Sequence, residues 1–385
     1  MPNYAHRLED ISAFKAMKVL ARANDLQQQG MDIIHLEVGE PDFPTPAPIL
    51  DAAHFALQQG FTKYTPAEGI APLREAISKH YIDTYGVEVD PRRVFVTAGG
   101  SGALLLATAL TLNPGEAMMM TDPGYPCNRH FMSSFDGEGQ LIAVGPSEQY
   151  QLNADLVAQH WRENTAGVLL ASPANPTGAI IERRVLKDIA AVVRQHDGFL
   201  LVDEIYHGLH YGNAAVSTAL EFDAIVVNSF SKYFGMTGWR LGWLVVPEDA
   251  IESVEKLAQN LFICPSSISQ HAAVAAFTRE SRAIMETQRR AFEERRNLMV
   301  AGLRNLSFGV PETPGGAFYV YARLPDKVSV DSETFCIKLL EQYGVAVTPG
   351  TDFGFFEAER HVRFSYANSI PALQEALVRI EQALR

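Results

Sequence analysis

A lysine flanked by hydroxyl and glycine residues offers the clearest chemistry in this sequence. Lys232 lies in NSFSKYFGMTGWRLGW, residues 228 to 243, where an apolar run ends. Burial disfavours the charged ammonium and lowers a lysine pKa, which makes the amine available as a nucleophile toward an aldehyde. Ser229, Ser231 and Arg240 offer the hydroxyl and guanidinium donors that a phosphate dianion requires. The segment predicts a nucleophilic lysine beside a phosphate site.

A glycine-rich turn offers a second set of phosphate contacts. In TAGGSGALLLA, residues 97 to 107, the turn leads from a strand-like run into an apolar helix that begins near Ser101, Gly102 and Ala103. Free backbone N–H groups and the helix dipole favour an anion at such a helix start. Alone, the turn fits a tight strand-to-helix connection equally well. Together with the lysine segment, it predicts one phosphate held from two sides.

Further polar and aromatic residues follow apolar runs. Asp203 closes the strongly apolar run of GFLLVDEIYH, where an unpaired carboxylate is costly, so it needs a cation or a local partner. Tyr206 lies three residues further on, and Asn175 follows another run in ASPANPTG. Tyr125 in DPGYP offers an aromatic face for stacking, although a tyrosine of the core fits the same pattern.

An arginine near the C-terminus alternates with apolar residues. In HVRFSYA, Arg363 lies between Val362 and Phe364, so a strand would direct it to the face opposite the apolar one. Its planar fork suits bidentate capture of a carboxylate. An exposed surface arginine is the alternative.

The elements that position these residues form an α/β pattern. Six apolar runs recur between turn residues and helix-like stretches, and they are apolar on both faces, as in a mostly parallel sheet covered by helices. Polar residues of such a sheet converge outside the carboxyl ends of its strands. The runs are VFVT (94 to 97), AMMMT (117 to 121), GVLLAS (167 to 172), GFLLVDE (198 to 204), AIVVNS (224 to 229) and GWLVVP (242 to 247).

The two ends of the chain do not follow this pattern of apolar runs and helix-like stretches. We predict a helix over 11 to 29, a long or bent helix over 266 to 306, three late strands and a closing helix from about Ile370. The resulting division is a large domain, 46–285, and a small α+β domain built from 1–45 and 286–385.

Composition and charge exclude several functional classes. The 385 residues are 47% hydrophobic and 20% charged, as in ordinary globular proteins. A net charge of -13 opposes nucleic-acid binding. The start of the chain lacks a signal-peptide h-region, and no apolar run approaches the ~20 residues of a membrane span, so a cytoplasmic enzyme without a membrane partner is expected. Three cysteines without C-x-x-C spacing predict neither a metal site nor a disulfide framework.

Taken together, the segments identify a resemblance over nearly the whole chain. It resembles the class I/II aminotransferase family, pyridoxal-phosphate enzymes of fold type I similar to aspartate aminotransferase. The segments that carry the resemblance are EVGEPDFPTP (37 to 46), YTPAEGIAPLREAI (64 to 77), DPGYP (122 to 126), ASPANPTG (171 to 178), DEIY (203 to 206), SFSKYFGMTGWRLGW (229 to 243), PGGAFYVY (314 to 321) and VRFSYA (362 to 367).

The resemblance implies a role for each site residue. Lys232 would bind pyridoxal 5′-phosphate as a Schiff base and then act as general base and acid, and Arg363 would bind the substrate α-carboxylate near Gly39 and Asn175. Tyr64 would reach the phosphate of a neighbouring subunit in a homodimer with shared active sites. The remaining implied contacts are Asp203 to the ring nitrogen, Asn175 and Tyr206 to the 3′ oxygen, Tyr125 to the ring face, and Ser101, Gly102, Ala103, Ser229, Ser231 and Arg240 to the phosphate.

Several alternatives stay open at this level. The expected reaction is a ping-pong transfer from an L-amino acid to a 2-oxo acid, with 2-oxoglutarate as the favoured acceptor. A carbon–sulfur β-lyase would use the same residues, and a ligand-sensing regulator is a further, non-enzymatic alternative. A dicarboxylate donor would need a second cation, for which Arg129 and His130 are candidates. Phe14, Phe131 and Phe262 would instead suit an apolar or aromatic donor.

Overall fold

Helices and strands alternate along most of the chain, for which a computed structural model describes residues 4–212 and 216–385. The α-helices in these residues are α1 (Lys15–Gln28), α2 (Ala47–Gln58), α3 (Ala71–Tyr85), α4 (Gly99–Thr111), α5 (Pro126–Ser134), α6 (Ala154–His160), α7 (Arg183–Gln195), α8 (Ile251–Leu261), α9 (Ser267–Val274), α10 (Arg279–Asn305), α11 (Ser332–Tyr343) and α12 (Ile370–Ala383). The strands are β1 (Ile34–His35), β2 (Val94–Thr97), β3 (Ala117–Asp122), β4 (Glu138–Ala143), β5 (Thr165–Ala171), β6 (Phe199–Asp203), β7 (Ile225–Ser229), β8 (Gly242–Val245), β9 (Tyr319–Arg323), β10 (Val345–Ala346), β11 (Thr348–Pro349) and β12 (His361–Ser365).

The largest sheet contains seven strands in the order β2-β8-β7-β6-β5-β3-β4. β8 is antiparallel to its neighbours β2 and β7, whereas the pairs from β7 to β4 are parallel. Both faces are covered, because Val226 packs in the apolar core on one face, and Ile225 and Val227 pack on the other. The prediction of a mostly parallel sheet flanked by helices is confirmed.

The edge strand β4 is the one strand of this sheet that the sequence analysis missed. Its residues, EGQLIA, are alternately more and less exposed, beginning with exposed Glu138. With Glu138, Gly139 and Gln140 at its start, β4 lacks the continuous apolar run by which the other strands were found, including the fully buried β2 at the opposite edge.

Two helical predictions need correction at their ends. α1 begins at Lys15 rather than at residue 11, because the Asp352 carboxylate accepts hydrogen bonds from the backbone N–H groups of Lys15 and Ala16 at 2.8 and 3.1 Å. The stretch from 266 to 306 contains two helices, α9 and α10, separated by a 3₁₀ turn over Ala275–Phe277. The Thr278 hydroxyl then caps α10.

The N-terminal segment packs on the C-terminal elements. β9, β11 and β12 form an antiparallel sheet in the order β11-β12-β9, and β1 pairs in parallel with β10. Leu36 shares an apolar core with Phe318 and Phe364. Helix α10 crosses residue 285 without a break, so the boundaries of a large domain at 46–285 and a small one at 1–45 and 286–385 stay a prediction. Residues 1–3 and 213–215 of these predicted domains lie outside the described residues.

Candidate active site

A cavity of about 570 Å³ opens at the carboxyl ends of the parallel strands. Ala171, Asp203 and Ser229, the last residues of β5, β6 and β7, line it. The structure brings together eleven of the predicted site residues in its wall, namely Gly39, Ser101, Tyr125, Asn175, Asp203, Tyr206, Ser229, Ser231, Lys232, Arg240 and Arg363.

Three of the predicted site residues do not line this cavity. Gly102 and Ala103 are buried in α4, where the Ala103 side chain packs in the apolar core. The helical period turns Gly100, Ser101 and Leu104 toward the cavity instead. Tyr64 lies between α2 and α3 with 82% of its surface exposed, so it does not contribute to the cavity of its own chain.

Lys232 lies after β7 with its amine inside the cavity. The Nζ atom donates a hydrogen bond to the carbonyl of Gly39 at 2.6 Å. It also lies 5.8 Å from the centroid of the Tyr206 ring. Burial, with smaller contributions from the guanidinium groups of Arg363 and Arg240, lowers the pKa of Lys232 to about 8. A larger fraction of this amine is therefore uncharged and nucleophilic near neutral pH than for an exposed lysine.

Asp203 and Glu204 end the neighbouring strand with different partners. Asp203 is 4% exposed, and within the described residues its carboxylate accepts one hydrogen bond, from the backbone N–H of Ile205 at 3.1 Å. Burial raises its pKa to about 7. Glu204 turns away and accepts hydrogen bonds from the hydroxyl of Thr218 at 3.0 Å and the N–H of Ala219 at 2.7 Å. Glu204 is thus held by hydrogen bonds of the protein, whereas Asp203 forms no ion pair in the part of the chain that the structure describes.

A pair of tyrosines borders the cavity beside Asn175. The hydroxyl groups of Tyr206 and Tyr319 lie 2.8 Å apart and both rings are buried. Tyr319 begins β9 and also lies against Gly39, where an added Cβ would come 2.2 Å from the tyrosine oxygen. The sequence analysis gave Tyr319 no role, although PGGAFYVY contains it, because residues opposed across the cavity are far apart in the chain.

Arg363 is a buried cation that forms no ion pair within the described residues. It is 2% exposed, and its guanidinium lies 4.3 Å from the centroid of the Tyr319 ring. It donates to Asn175 Oδ1 at 3.0 Å and to the carbonyl of Glu37. It forms no ion pair with a carboxylate of residues 4–212 and 216–385, and its buried Nε has no hydrogen-bond partner there. Since an uncompensated buried charge is costly, the site is suited to a carboxylate ligand.

Hydroxyl and guanidinium groups gather where α4 begins. The hydroxyl of Ser229 donates to that of Ser231 at 2.9 Å. Arg240 adopts a positive φ of 51° and lies against Gly99, where an added Cβ would come 2.7 Å from Nη2. Together with Ser101, these groups surround the N-terminus of a 13-residue helix, a favourable place for a phosphate.

Among the aromatic candidates, Tyr125 and Phe14 reach the cavity. Their rings meet edge to face with centroids 6.3 Å apart. Phe131 and Phe262 pack instead against the apolar core around α4 and do not line the cavity. The rings of Phe131 and Phe262 therefore do not form part of the cavity surface that a substrate would contact.

The two candidate cations for a second carboxylate also lie outside the cavity. The Arg129 guanidinium stacks on the ring of Phe355, 5.4 Å from its centroid. His130 Nε2 lies 3.1 Å from the hydroxyl of Ser12. Both residues are in α5, next to Tyr125 in sequence, but neither lines the cavity that Lys232 lines.

Comparison with known proteins identifies the family. The model of the family described as aminotransferase class I and II matches residues 31–380. The chain belongs to this family. It is 40% identical to a valine–pyruvate aminotransferase of Mycobacterium tuberculosis over 96% of each protein, and 34% identical to an aspartate/prephenate aminotransferase of Thermus thermophilus, covering 100% of this chain and 99% of the relative.

Solved structures agree with this assignment. The aminotransferase superposes on the crystal structure of an aminotransferase from Mycobacterium tuberculosis with a TM-score of 0.96 at 40% identity, over 100% of this chain and 99% of the other. It superposes on aspartate aminotransferase from Thermus thermophilus with maleate with a TM-score of 0.94 at 34% identity, over the whole of both chains. The predictions of family, fold type and aminotransferase activity are confirmed.

The aminotransferase uses pyridoxal phosphate, and the cavity has a suitable group for each part of it. Lys232 offers an amine to its aldehyde, and Asp203 offers a buried carboxylate without a cation to its ring nitrogen. The serine pair and Arg240 surround the helix N-terminus suited to its phosphate. The residues present therefore fit the cofactor.

None of the helices within residues 4–212 and 216–385 is long and apolar enough to cross a membrane. Over the same residues, no group of three or more His, Cys, Asp or Glu side chains is arranged to hold a metal ion.

Proposed function

We propose that this aminotransferase moves the amino group of an L-amino acid to a 2-oxo acid by a ping-pong reaction around Lys232. When bound, pyridoxal phosphate supplies the electron sink and carries the amino group between the half-reactions. The observation that carries the proposal is the Arg363 guanidinium, which is buried, without an ion pair to any carboxylate of residues 4–212 and 216–385, in the cavity that holds the Lys232 amine. A substrate α-carboxylate at Arg363 would bring its Cα toward that amine.

Each residue then has a task set by its surroundings. The amine of Lys232, with its pKa lowered to about 8, can take a proton from the substrate Cα. It can return that proton in the later step of the amino-group transfer. Asp203 holds a positive charge on the cofactor ring, and Tyr206 offers a hydroxyl to its 3′ oxygen. Asn175 orients Arg363 through their 3.0 Å hydrogen bond.

A single-turnover assay tests this function. Purified protein loaded with cofactor is mixed with an amino acid donor in the absence of acceptor, and the 2-oxo acid is quantified. We expect about one equivalent per site, followed by a halt until a 2-oxo acid is added, because a ping-pong enzyme stalls once its cofactor carries the amino group. Continued release of oxo acid from a sulfur amino acid without acceptor would instead support the β-lyase alternative.

The same proposal includes a homodimer in which Tyr64 serves the neighbouring site. Tyr64 lies on an exposed face whose other large apolar residues include Phe61, Leu261 and Ile263, which are 41%, 49% and 56% exposed. The Ser267 hydroxyl ties the two segments of this face together by donating to the carbonyl of Lys63. Exposed apolar patches of this kind favour protein contacts. Tyr64 could then offer its hydroxyl to the partner's phosphate site.

Mixed dimers test the shared site. Tyr64→Phe removes only a hydroxyl, and we expect the Kd for pyridoxal phosphate to rise roughly 10-fold or more, since a hydrogen bond to a charged group contributes ~1.5–3 kcal/mol. Refolding Tyr64→Phe together with Lys232→Ala creates hybrids in which one site is intact only if Tyr64 crosses the interface. We expect activity at limiting cofactor to exceed that of either variant alone. No gain in the mixture would place Tyr64 in its own site or show it to be dispensable.

The remaining predictions concern surroundings and organisation. We propose a cytoplasmic location without nucleic-acid or membrane partners, supported by the net charge of -13. We also propose the two-domain division described above, supported by the pairing of β1 with β10. The named relatives differ in substrate, valine and pyruvate for one and aspartate and prephenate for another, so their similarity leaves the donor open.

A further inference from the structure

The cations of the cavity are all needed for functions other than recognition of a substrate side chain. Lys232, Arg240 and Arg363 line the cavity, and no other Lys, Arg or His of the described residues does so. Under the proposed function these three serve the proton transfer, the phosphate and the α-carboxylate. None of them is left for a second carboxylate on the substrate.

One apolar wall of the cavity comes from the N-terminal segment. Phe14, Ala16 and Met17 line it, and Val38 lies beside the Gly39 carbonyl that receives Lys232. This wall is fixed in place, because both oxygens of the buried Asp352 carboxylate accept backbone N–H groups at the start of α1. An apolar substrate side chain packed against Phe14 and Met17 would be removed from water, and this burial would stabilise its binding.

Acidic residues in the same cavity oppose a second negative charge. Glu37 and Glu40 both line it. Glu37 is completely buried, with one oxygen 2.7 Å from His35 Nδ1 and the other without a hydrogen-bond partner in the described residues. A dicarboxylate would bring its distal carboxylate near these groups without a cation to offset it, and like charges at short range raise the free energy of the bound state.

We propose that this site selects amino acids with neutral, apolar side chains and pairs them with monocarboxylic 2-oxo acids, and that the N-terminal segment with Phe14 and Met17 is the selecting wall. The inference rests on the proposed function and names its substrate class. It departs from the expectation of 2-oxoglutarate as acceptor, because that acid carries a distal carboxylate for which the described residues of this chain place no further cation in the cavity.

Single-turnover half-reactions of the holoenzyme test the selection without any choice of acceptor. We expect the second-order rate constant for leucine or phenylalanine to exceed those for aspartate and glutamate by about 100-fold, the scale of leaving one buried charge unpaired. The amino-loaded enzyme should likewise react about 100-fold faster with pyruvate than with 2-oxoglutarate. Rate constants for acidic and apolar donors within three-fold of each other would overturn the proposal.

Two substitutions test whether the N-terminal wall is responsible. Phe14→Ala should lower the leucine-to-alanine ratio of rate constants about 10-fold, because the alanine methyl is too short to use the wall. Met17→Arg should raise the aspartate-to-leucine ratio about 10-fold by supplying a cation. Phe355→Ala is the matched control, since Phe355 is 76% exposed outside the cavity, and it should leave both ratios unchanged.

The outcomes separate this inference from the function on which it rests. Absence of oxo acid formation with every donor would contradict the proposed function itself. A working half-reaction with unchanged ratios in Phe14→Ala and Met17→Arg would leave the function standing and overturn the assignment of the wall.

Discussion

Replacing Lys232 with alanine is expected to reduce kcat by about 10⁴-fold or more, because the substitution removes the nucleophile and the proton carrier together. The lowered pKa of the amine and its position in the cavity with Arg363 make it the group best placed for both tasks. Steady-state transamination with a saturating apolar donor and pyridoxal phosphate measures the loss.

Two control variants make this result specific. Lys256→Ala removes an exposed lysine that pairs with Glu252 on α8, and it should keep kcat within about two-fold, since exposed pairs contribute little. Lys232→Arg keeps a positive charge but no amine that can lose its proton near neutral pH, so it should be as inactive as the alanine variant. Retention of a tenth of wild-type activity in either Lys232 variant would contradict the assignment.

Replacing Asp203 with asparagine is expected to lower kcat roughly 100- to 1,000-fold, the scale of removing one partner of a buried charge pair. The carboxamide keeps the shape of the side chain and can still accept from Ile205, but it has no charge to hold a proton on the cofactor ring. Saturating cofactor in the assay separates lost chemistry from weaker binding. A kcat within three-fold of wild type would show that Asp203 is not the partner of the ring nitrogen.

The same substitution should stabilise the apoprotein at neutral pH. The folded-state pKa of Asp203, about 7, lies above its ordinary value of 3.8, so folding favours the protonated form. Its contribution to stability is fully present below about pH 4 and is lost as the pH rises through 7. At ~1.4 kcal/mol per pKa unit, the wild-type apoprotein should lose a few kcal/mol relative to Asp203→Asn over this range. Denaturant unfolding at several pH values measures the free energy of unfolding of both apoproteins. If the difference between wild type and Asp203→Asn did not change with pH, the result would contradict a buried charge at Asp203.

The fold was predictable wherever a strand is buried on both faces. The central residues of β5, β6 and β7 form continuous apolar runs, so these strands can be predicted without knowledge of the tertiary structure. β4 was missed because its residues EGQLIA contain no continuous apolar run, and the exact start of α1 depends on Asp352, which is distant in sequence. Such long-range contacts leave no local signal.

The sequence predicted most of the residues that line the cavity, but it predicted less about how these residues are arranged. Asn175, Asp203 and Lys232 follow the ends of parallel strands, and the sheet brings such residues to one edge. The alternation around Arg363 left an exposed arginine as an alternative, and only the packing of Tyr319 and Phe353 against the guanidinium shows it to be buried.

Residues on a helix or at a subunit surface were harder to place. Gly102 and Ala103 follow Ser101 in sequence, but the turn of α4 directs them into the core. Tyr64 does not line the cavity of its own chain, so the role that we propose for it requires a partner subunit. A sequence motif shows neither which side of a helix a residue faces nor whether the residue contacts another subunit.

The central claim is that Lys232 carries the cofactor, and borohydride reduction of the holoenzyme followed by peptide mass mapping tests it most directly. Reduction fixes pyridoxal phosphate to the lysine that binds it. The account predicts a pyridoxyl group on the peptide containing Lys232, in about one copy per chain, and none in Lys232→Ala. A pyridoxyl group on another lysine of the wild type, with the Lys232 peptide unmodified, would contradict it.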